Sequence, residues 1–374
     1  MRIAYLSADF HQHATAELIA GLIERHDRKK FEVMAISFSR DDGSAMRQRL
    51  MAAFDRFDDV RAMGDGDVAR LLREREVDIA IDLKGHTEGA RPAILAHRPC
   101  PVQVSYLGYP GTMSAPWLDY IIGDATVLPF AHQPFYSEKI VHLPHCYQVN
   151  DATRAVAETA ETAVTRVAAG LPESSFVFCC FNAAWKIAPS VFDVWMRLLV
   201  AVPGSVLWLL EDNASAPANL RAAALARGVD PARLVFAPAT VPGRHLARHR
   251  LADLFLDTLP YNAHTTASDA LWTGLPVLTC LGALFDGRVA ASLLRAVGLP
   301  ELIAQTMEEY EALALALARD PTRLESLRAR LLANRLLYPL YDTERFRRAL
   351  EAVYVRMTEI ARGGGAPESF AVRD

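Results

Sequence analysis

The chain has 374 residues, 51% of them hydrophobic and 22% charged, with a formal net charge of −4. That length supports two α/β domains with a core each, and mild acidity supplies no basic footprint for nucleic acid or an anionic membrane. No apolar run reaches the length that spans a bilayer, so neither nucleic acid nor membrane is an expected partner.

In chain order, Met1 leads directly into a strand at 3–6, so no leader is expected. Further strands are predicted at 31–36, 78–83 and 101–106, with short ones at 119–123 and 139–143. Helical patterns lie between them, notably at 14–25 and 65–74. This alternation predicts a doubly wound sheet over 1–150. The pattern breaks over 151–175, which reads as a connecting segment. A second series follows over 176–362, with strands at 176–181, 206–210, 234–237, 254–256 and 277–279. Its helices are predicted at 189–201, 219–227 and 268–272, then at 310–318, 322–336 and 342–362. Residues 363–374 read as a disordered tail. The architecture drawn from this is α/β, with two sheets facing one another across a central cleft between their carboxyl edges. Chemistry is then expected in the loops that follow the strands. The odd number of cysteines (Cys100, Cys146, Cys179, Cys180 and Cys280) and their apolar surroundings predict reduced thiols in a cytoplasmic protein. Cys179 and Cys180 would point to opposite faces of a strand, so no zinc site is expected.

The most informative stretch runs from 255 to 277. An apolar strand leads into a loop of small residues and then a helix. Thr266 followed three positions later by Asp269 has capping-box spacing, which puts a helix N-terminus at His264, Thr265 and Thr266. Unpaired N–H groups and the positive dipole end would seat a diphosphate there. A plain helix cap is the equal alternative.

Four other loops hold candidate chemistry. After the first strand, Asp9, His11 and His13 suit a general base or a hydroxyl-positioning group, or else a cap with solvated turn residues. Lys186, just before a helix, suits a phosphate leaving group, or else is a surface lysine. His245 and Arg248, three apart, share a helix face, which is either a ligand-facing or a merely solvated one. Leu107, Gly108, Tyr109, Pro110, Gly111 and Thr112 form a small-residue loop that a ligand could approach closely, or a simple turn.

Together with the loop from Lys84 to Arg91, these segments stand in the order seen in the catalytic region of the protein O-GlcNAc transferases and their SPINDLY-like relatives. The resemblance covers nearly the whole chain. It is carried most specifically by residues 107–112, 136–139, 206–210 and 251–272. It implies a GT-B-like fold of two Rossmann-like domains, the second binding a nucleotide sugar, and a transfer of N-acetylglucosamine from UDP-GlcNAc to Ser or Thr of a protein acceptor. It further implies Lys186 at the donor diphosphate, His264, Thr265 and Thr266 holding phosphates, and Asp269 on the ribose. His245 and Arg248 would meet the uracil, Leu107, Gly108 and Pro110 the sugar, and Asp9 and His13 the acceptor and donor sugar as a proton relay. No metal or other cofactor is expected. Departures from the family are Ala183 in place of a polar amide, Pro242 in place of a lysine, Gly243 and Arg244 in place of an acidic pair, and an unusual loop over 280–288. The family's tetratricopeptide superhelix, and a helical segment that supplies another active-site histidine, are not in this sequence. The expectation is then a fragment, a mis-started gene product, or an enzyme relying on a partner that recruits acceptors. The alternatives are another donor sugar, a non-protein acceptor, or a non-catalytic nucleotide-sugar-binding module.

Overall fold

Ile3, Ala4, Tyr5 and Leu6 leave no polar face between them, so their strand fits only a sheet covered on both sides. The computed structural model, which describes residues 1–154 and 165–374, has two such sheets in two units. The first unit comprises Met1–Thr153 and Pro339–Asp374, the second Arg154–Tyr338.

The first unit alternates β1 (Arg2–Ser7), α1 (Ala14–Arg25), β2 (Glu32–Ser37), α2 (Ala45–Ala53), β3 (Arg56–Asp59), α3 (Asp65–Glu74), β4 (Ile79–Asp82), α4 (Ala93–Ala96), β5 (Val102–Ser105), β6 (Tyr120–Asp124) and β7 (Lys139–Leu143). The second has β8 (Val177–Cys180), α5 (Pro189–Ala201), β9 (Val206–Glu211), α6 (Ala216–Leu225), β10 (Leu234–Pro238), α7 (Pro242–Arg248), β11 (Leu254–Leu256), α8 (Thr265–Trp272), β12 (Val277–Cys280), α9 (Val289–Ala296), β13 (Ile303–Ala304), α10 (Met307–Arg319) and α11 (Pro321–Leu337). The chain then returns to the first unit with α12 (Thr343–Arg362) and β14 (Phe370–Ala371).

Among the described residues the first sheet has the order β3-β2-β1-β4-β5-β6-β7-β14 and the second β10-β9-β8-β11-β12-β13. The strand pairs are parallel throughout both. Each sheet starts at its centre and winds outward in both directions. The order therefore reverses between β1 and β4 in one unit, and between β8 and β11 in the other. A crevice opens at the carboxyl end of such a pair, because the helices that follow the two strands go to opposite faces.

Two expectations about the chain's end are corrected. The last long helix does not belong with the second domain. Its apolar stripe of Leu350, Val353, Tyr354 and Met357 is buried, and Tyr354 Oη lies 3.0 Å from Tyr5 Oη of β1. Glu351 Oε1 accepts from His26 Nδ1 at 2.9 Å. Residues 363–374 are not a disordered tail either, because β14 pairs with β7. Asp374 also takes a two-point ion pair from Arg345. A short polar segment gives no periodic signal, so this docking was invisible without the sheet edge that receives it. Of the expected connecting segment 151–175, residues 155–164 lie outside the described residues. All five cysteines are buried and none is in a disulfide.

Candidate functional site

In the second unit the loop after β11 folds around a buried carboxylate. Asp257 Oδ1 accepts from the backbone N–H of Thr258 at 2.8 Å and of Ala263 at 2.6 Å. Its Oδ2 accepts from Thr279 Oγ1 at 2.6 Å. Burial pushes the Asp257 carboxyl up to about 6, against the pull of these donors. Asn182, at the end of β8, joins the loop to the helix that follows. Its Nδ2 donates to Thr258 Oγ1 at 2.7 Å, and its Oδ1 accepts from Thr266 Oγ1 at 2.5 Å. An amide offers a donor and an acceptor on separate atoms of one short side chain, which these two contacts use.

Lys186 enters from the turn after β8 and donates from Nζ to the Asn262 carbonyl at 2.9 Å. Burial lowers its ammonium to about 8, with Asp257, Cys180 and Asp286 pulling the other way. The His264 ring stacks on Tyr261 at 4.9 Å, and its Nε2 donates to the Asp286 carbonyl at 3.1 Å. Burial lowers His264 to about 3. A neutral ring that donates from Nε2 carries no proton on Nδ1. The groups here that could donate to an anion are therefore Lys186, the Thr265 hydroxyl and the first-turn amides of α8, which by helix geometry have no acceptor within the helix.

The capping box expected at Thr266 and Asp269 does not form. The cap position is His264, without a side-chain cap bond, so Thr266 and Asp269 both lie inside α8. The Thr266 hydroxyl is drawn to Asn182 instead. Asp269 Oδ1 meets Arg154 Nη1 at 2.5 Å, and its Oδ2 lies 4.0 Å from His245 Nε2. Arg248 donates to His245 Nδ1 and, at 2.8 Å, to the Pro238 carbonyl. Its guanidinium lies over Phe181, 4.6 Å from the centroid. Burial, with His249 and Arg248 close by, drives His245 down to about 2, so its ring is neutral. Beside this group is a cavity of about 440 Å³ whose walls include Trp208, Phe236, Pro238, Thr240, Arg244 and Arg248. The structure thus gathers Lys186, His264, Thr265 and Thr266 around one helix end, and His245, Arg248 and Asp269 into an adjoining cluster.

In the first unit the loops after β1 and β4 also meet. Lys84 Nζ donates to Asp9 Oδ2 at 2.8 Å and to Oδ1 at 3.0 Å, and both residues are buried. The ammonium thus takes the carboxylate at both oxygens. His13, not Asp9, caps α1, accepting on Nδ1 from the Thr15 amide at 3.2 Å. Burial lowers the His13 ring, opposed by Asp9. The neutral tautomer that fits carries its proton on Nε2, which makes His13 a donor there. Farther along, Leu107 has a φ of 68° and Gly108 packs directly on the Leu83 carbonyl, where a Cβ would fall 1.8 Å from the oxygen. Buried Glu138 accepts from Thr112 Oγ1 and from Met113 N, each at 2.6 Å, and so pins the loop that holds Pro110.

Sequence reasoning assigned no role to Asp257, Lys84, Glu138 or Arg154. Asp257 and Lys84 each follow an apolar strand directly, and a charge at such a position was the available signal. Nothing local marks Glu138 or Arg154, whose partners are distant in sequence.

Two parallel sheets of this topology, one with a lysine and a helix N-terminus at its switch point, make a GT-B-like fold. An Anabaena protein, HepE, solved with UDP and glucose, shares the fold alone. Its TM-score is 0.64 at 12% identity, over 95% of this chain and 100% of that one. A solved Thermobaculum terrenum O-GlcNAc transferase mutant matches with a TM-score of 0.90 at 34% identity, over 97% of this chain and 68% of that one. The sequence matches glycosyl transferase family 41 over residues 1–168 and 152–350, and the chain belongs to that family. It is 39% identical over 375 residues to the Arabidopsis thaliana probable UDP-N-acetylglucosamine–peptide N-acetylglucosaminyltransferase SEC, over 100% of this chain and 38% of that protein. To the Caenorhabditis elegans UDP-N-acetylglucosamine–peptide N-acetylglucosaminyltransferase it is 28% identical, over 96% of this chain and 40% of that one. The chain thus spans about two fifths of the length of these curated relatives. Among the described residues no helix is long and apolar enough to cross a membrane.

Proposed function

We propose that the chain transfers N-acetylglucosamine from UDP-GlcNAc to Ser or Thr hydroxyls of proteins, in one inverting displacement. The acceptor oxygen forms a bond to the anomeric carbon as the bond from that carbon to the phosphate oxygen breaks. UDP leaves with the electron pair, and the acceptor proton passes to solvent water. The observation that carries this reading is the Lys186 ammonium held on the Asn262 carbonyl, in the loop that leads into the N-terminus of α8 at the β8–β11 switch point. That arrangement supplies a full charge and several N–H donors where negative charge grows on the leaving diphosphate.

The cavity beside Arg248 has the size and aromatic walls for a nucleobase, with Asp269 as the carboxylate that would accept from the ribose. On the acceptor side we assign His13 a hydrogen-bond donor's role through Nε2, with Asp9, tied to Lys84, as the second member of the acceptor-side pair. Leu107, Gly108 and Pro110 would line the sugar. With Lys186 meeting the diphosphate, the reaction is proposed to need no divalent ion, so chelator should leave turnover unchanged. A protein acceptor and a cytoplasmic location complete the reading. The second is supported by five buried thiols outside any disulfide, the state kept by a reducing compartment.

Calorimetric titration with UDP, GDP, UDP-GlcNAc, UDP-glucose and GDP-fucose tests the donor site. Tightest binding of UDP and UDP-GlcNAc is expected. A guanine preference would move the chain to a fucosyl donor, and no binding of any of them would leave a non-catalytic module.

A further inference from the structure

The loop after β11 brings one aromatic ring against both ionisable members of the phosphate seat. Tyr261 stacks on the His264 imidazole with 23° between the planes, and Lys186 Nζ lies 4.1 Å from the Tyr261 centroid. Trp185 is 69% exposed and meets the Tyr261 ring nearly edge-on at 5.2 Å. Its own centroid is 5.5 Å from Lys186 Nζ. The ammonium thus sits in an aromatic corner while donating to the Asn262 carbonyl. A lysine stem has four flexible carbons, and its three donors fix no direction by themselves. A ring face attracts the cation without neutralising it, unlike a carboxylate, and does so more strongly where water is thinned out.

We propose that Tyr261, with Trp185 as the outer wall, is the positioning residue that holds the Lys186 ammonium at the mouth of α8 for a nucleoside diphosphate. The inference rests on the donor-site reading above and adds residues that reading did not need. The charged or titratable groups that face Lys186 are Asp257 and Asp286, with Cys180 behind and His264 alongside. Without the ring, the ammonium is free to turn toward either carboxylate. The loop's backbone does not depend on the ring, because Asp257, Thr258 and Asn182 hold it through their own hydrogen bonds.

The test is a double-mutant cycle read by UDP calorimetry, with Tyr261→Leu, Lys186→Met and the pair. Losing a partly desolvated cation–π contact predicts roughly tenfold weaker UDP binding in Tyr261→Leu and less than about twofold further loss when it is added to Lys186→Met. Tyr261→Phe, which keeps the ring, is expected to recover most of the loss. Trp185→Leu sits at an exposed position, which keeps the test open even if Tyr261→Leu folds poorly. It should weaken binding by roughly threefold, and only when Lys186 is present. Equal losses with and without Lys186 would show a merely structural ring and overturn the proposal, as would full affinity in Tyr261→Leu. A wild-type chain that does not bind UDP at all would instead remove the donor-site reading.

Discussion

Raising the pH should weaken UDP binding in a way traceable to Lys186 alone. Burial lowers its ammonium from the ordinary 10.5 to about 8. The sign follows directly. A lysine lowered in the folded chain is charged below about 8 and neutral above it, so the partner of the diphosphate fades as pH rises. If only the charged form binds tightly, the apparent Kd scales as one plus the ratio of neutral to charged lysine. That ratio is roughly 0.1 at pH 7 and 10 at pH 9, so affinity falls about tenfold across the interval. The terminal phosphate of UDP does not confuse the reading, since phosphate second ionisations lie near about 6. Bound diphosphate pulls the lysine back to its charged form, so binding at pH 9 should take up close to about one proton. Calorimetry at pH 9 in two buffers of different ionisation enthalpy measures that uptake. Lys186→Met should bind weakly and without this pH dependence, while Lys186→Arg should stay charged throughout. Flat wild-type affinity from pH 7 to 9, with no proton uptake, would refute the assignment.

Other consequences concern the supports of the two loops. Asp257→Ala strips the acceptor from two amides and a hydroxyl, each costing about 1–3 kcal/mol if left buried and unpaired, so a fall in Tm of several degrees with loss of UDP binding is expected. An unchanged melting curve would contradict this. Lys84→Met leaves the Asp9 carboxylate buried without its cation, a loss of about 3–5 kcal/mol. Adding Asp9→Asn should restore most of it in a urea titration, and a double variant no better than the single would show that the pair does not hold these loops. In Gly108→Ala the new Cβ meets the Leu83 carbonyl oxygen at 1.8 Å, so the chain must shift. A cost of about 2 kcal/mol or more is expected in the same titration, and wild-type stability would show the loop to be free to move.

Most of the anion seat proposed for the second unit could be read from the sequence because its parts are local. Lys186 follows an apolar strand, and the strand–loop–helix pattern around His264, Thr265 and Thr266 points backbone amides toward a ligand wherever that helix packs. The capping box failed for a nonlocal reason. Thr266 has a better partner in Asn182, which lies 84 residues away in the chain. The same holds for Asp9, which reads as a cap until Lys84, 75 residues on, takes its carboxylate. The His13 tautomer, and hence its role as a donor, likewise depends on which group caps α1.

By itself the sequence determined the alternation of strands and helices, the two-sheet α/β class and the loops in which chemistry would sit. Those follow from periodicity, propensity and turn residues, which act over a few positions at a time. Only the tertiary structure decided that β8 lies beside β11 and β1 beside β4. It also decided that α12 and β14 return to the first unit, and that Tyr261 shares its ring between Lys186 and His264. Such pairings form between residues far apart in the chain, where buried area and hydrogen-bond partners select among many arrangements that the local pattern leaves open.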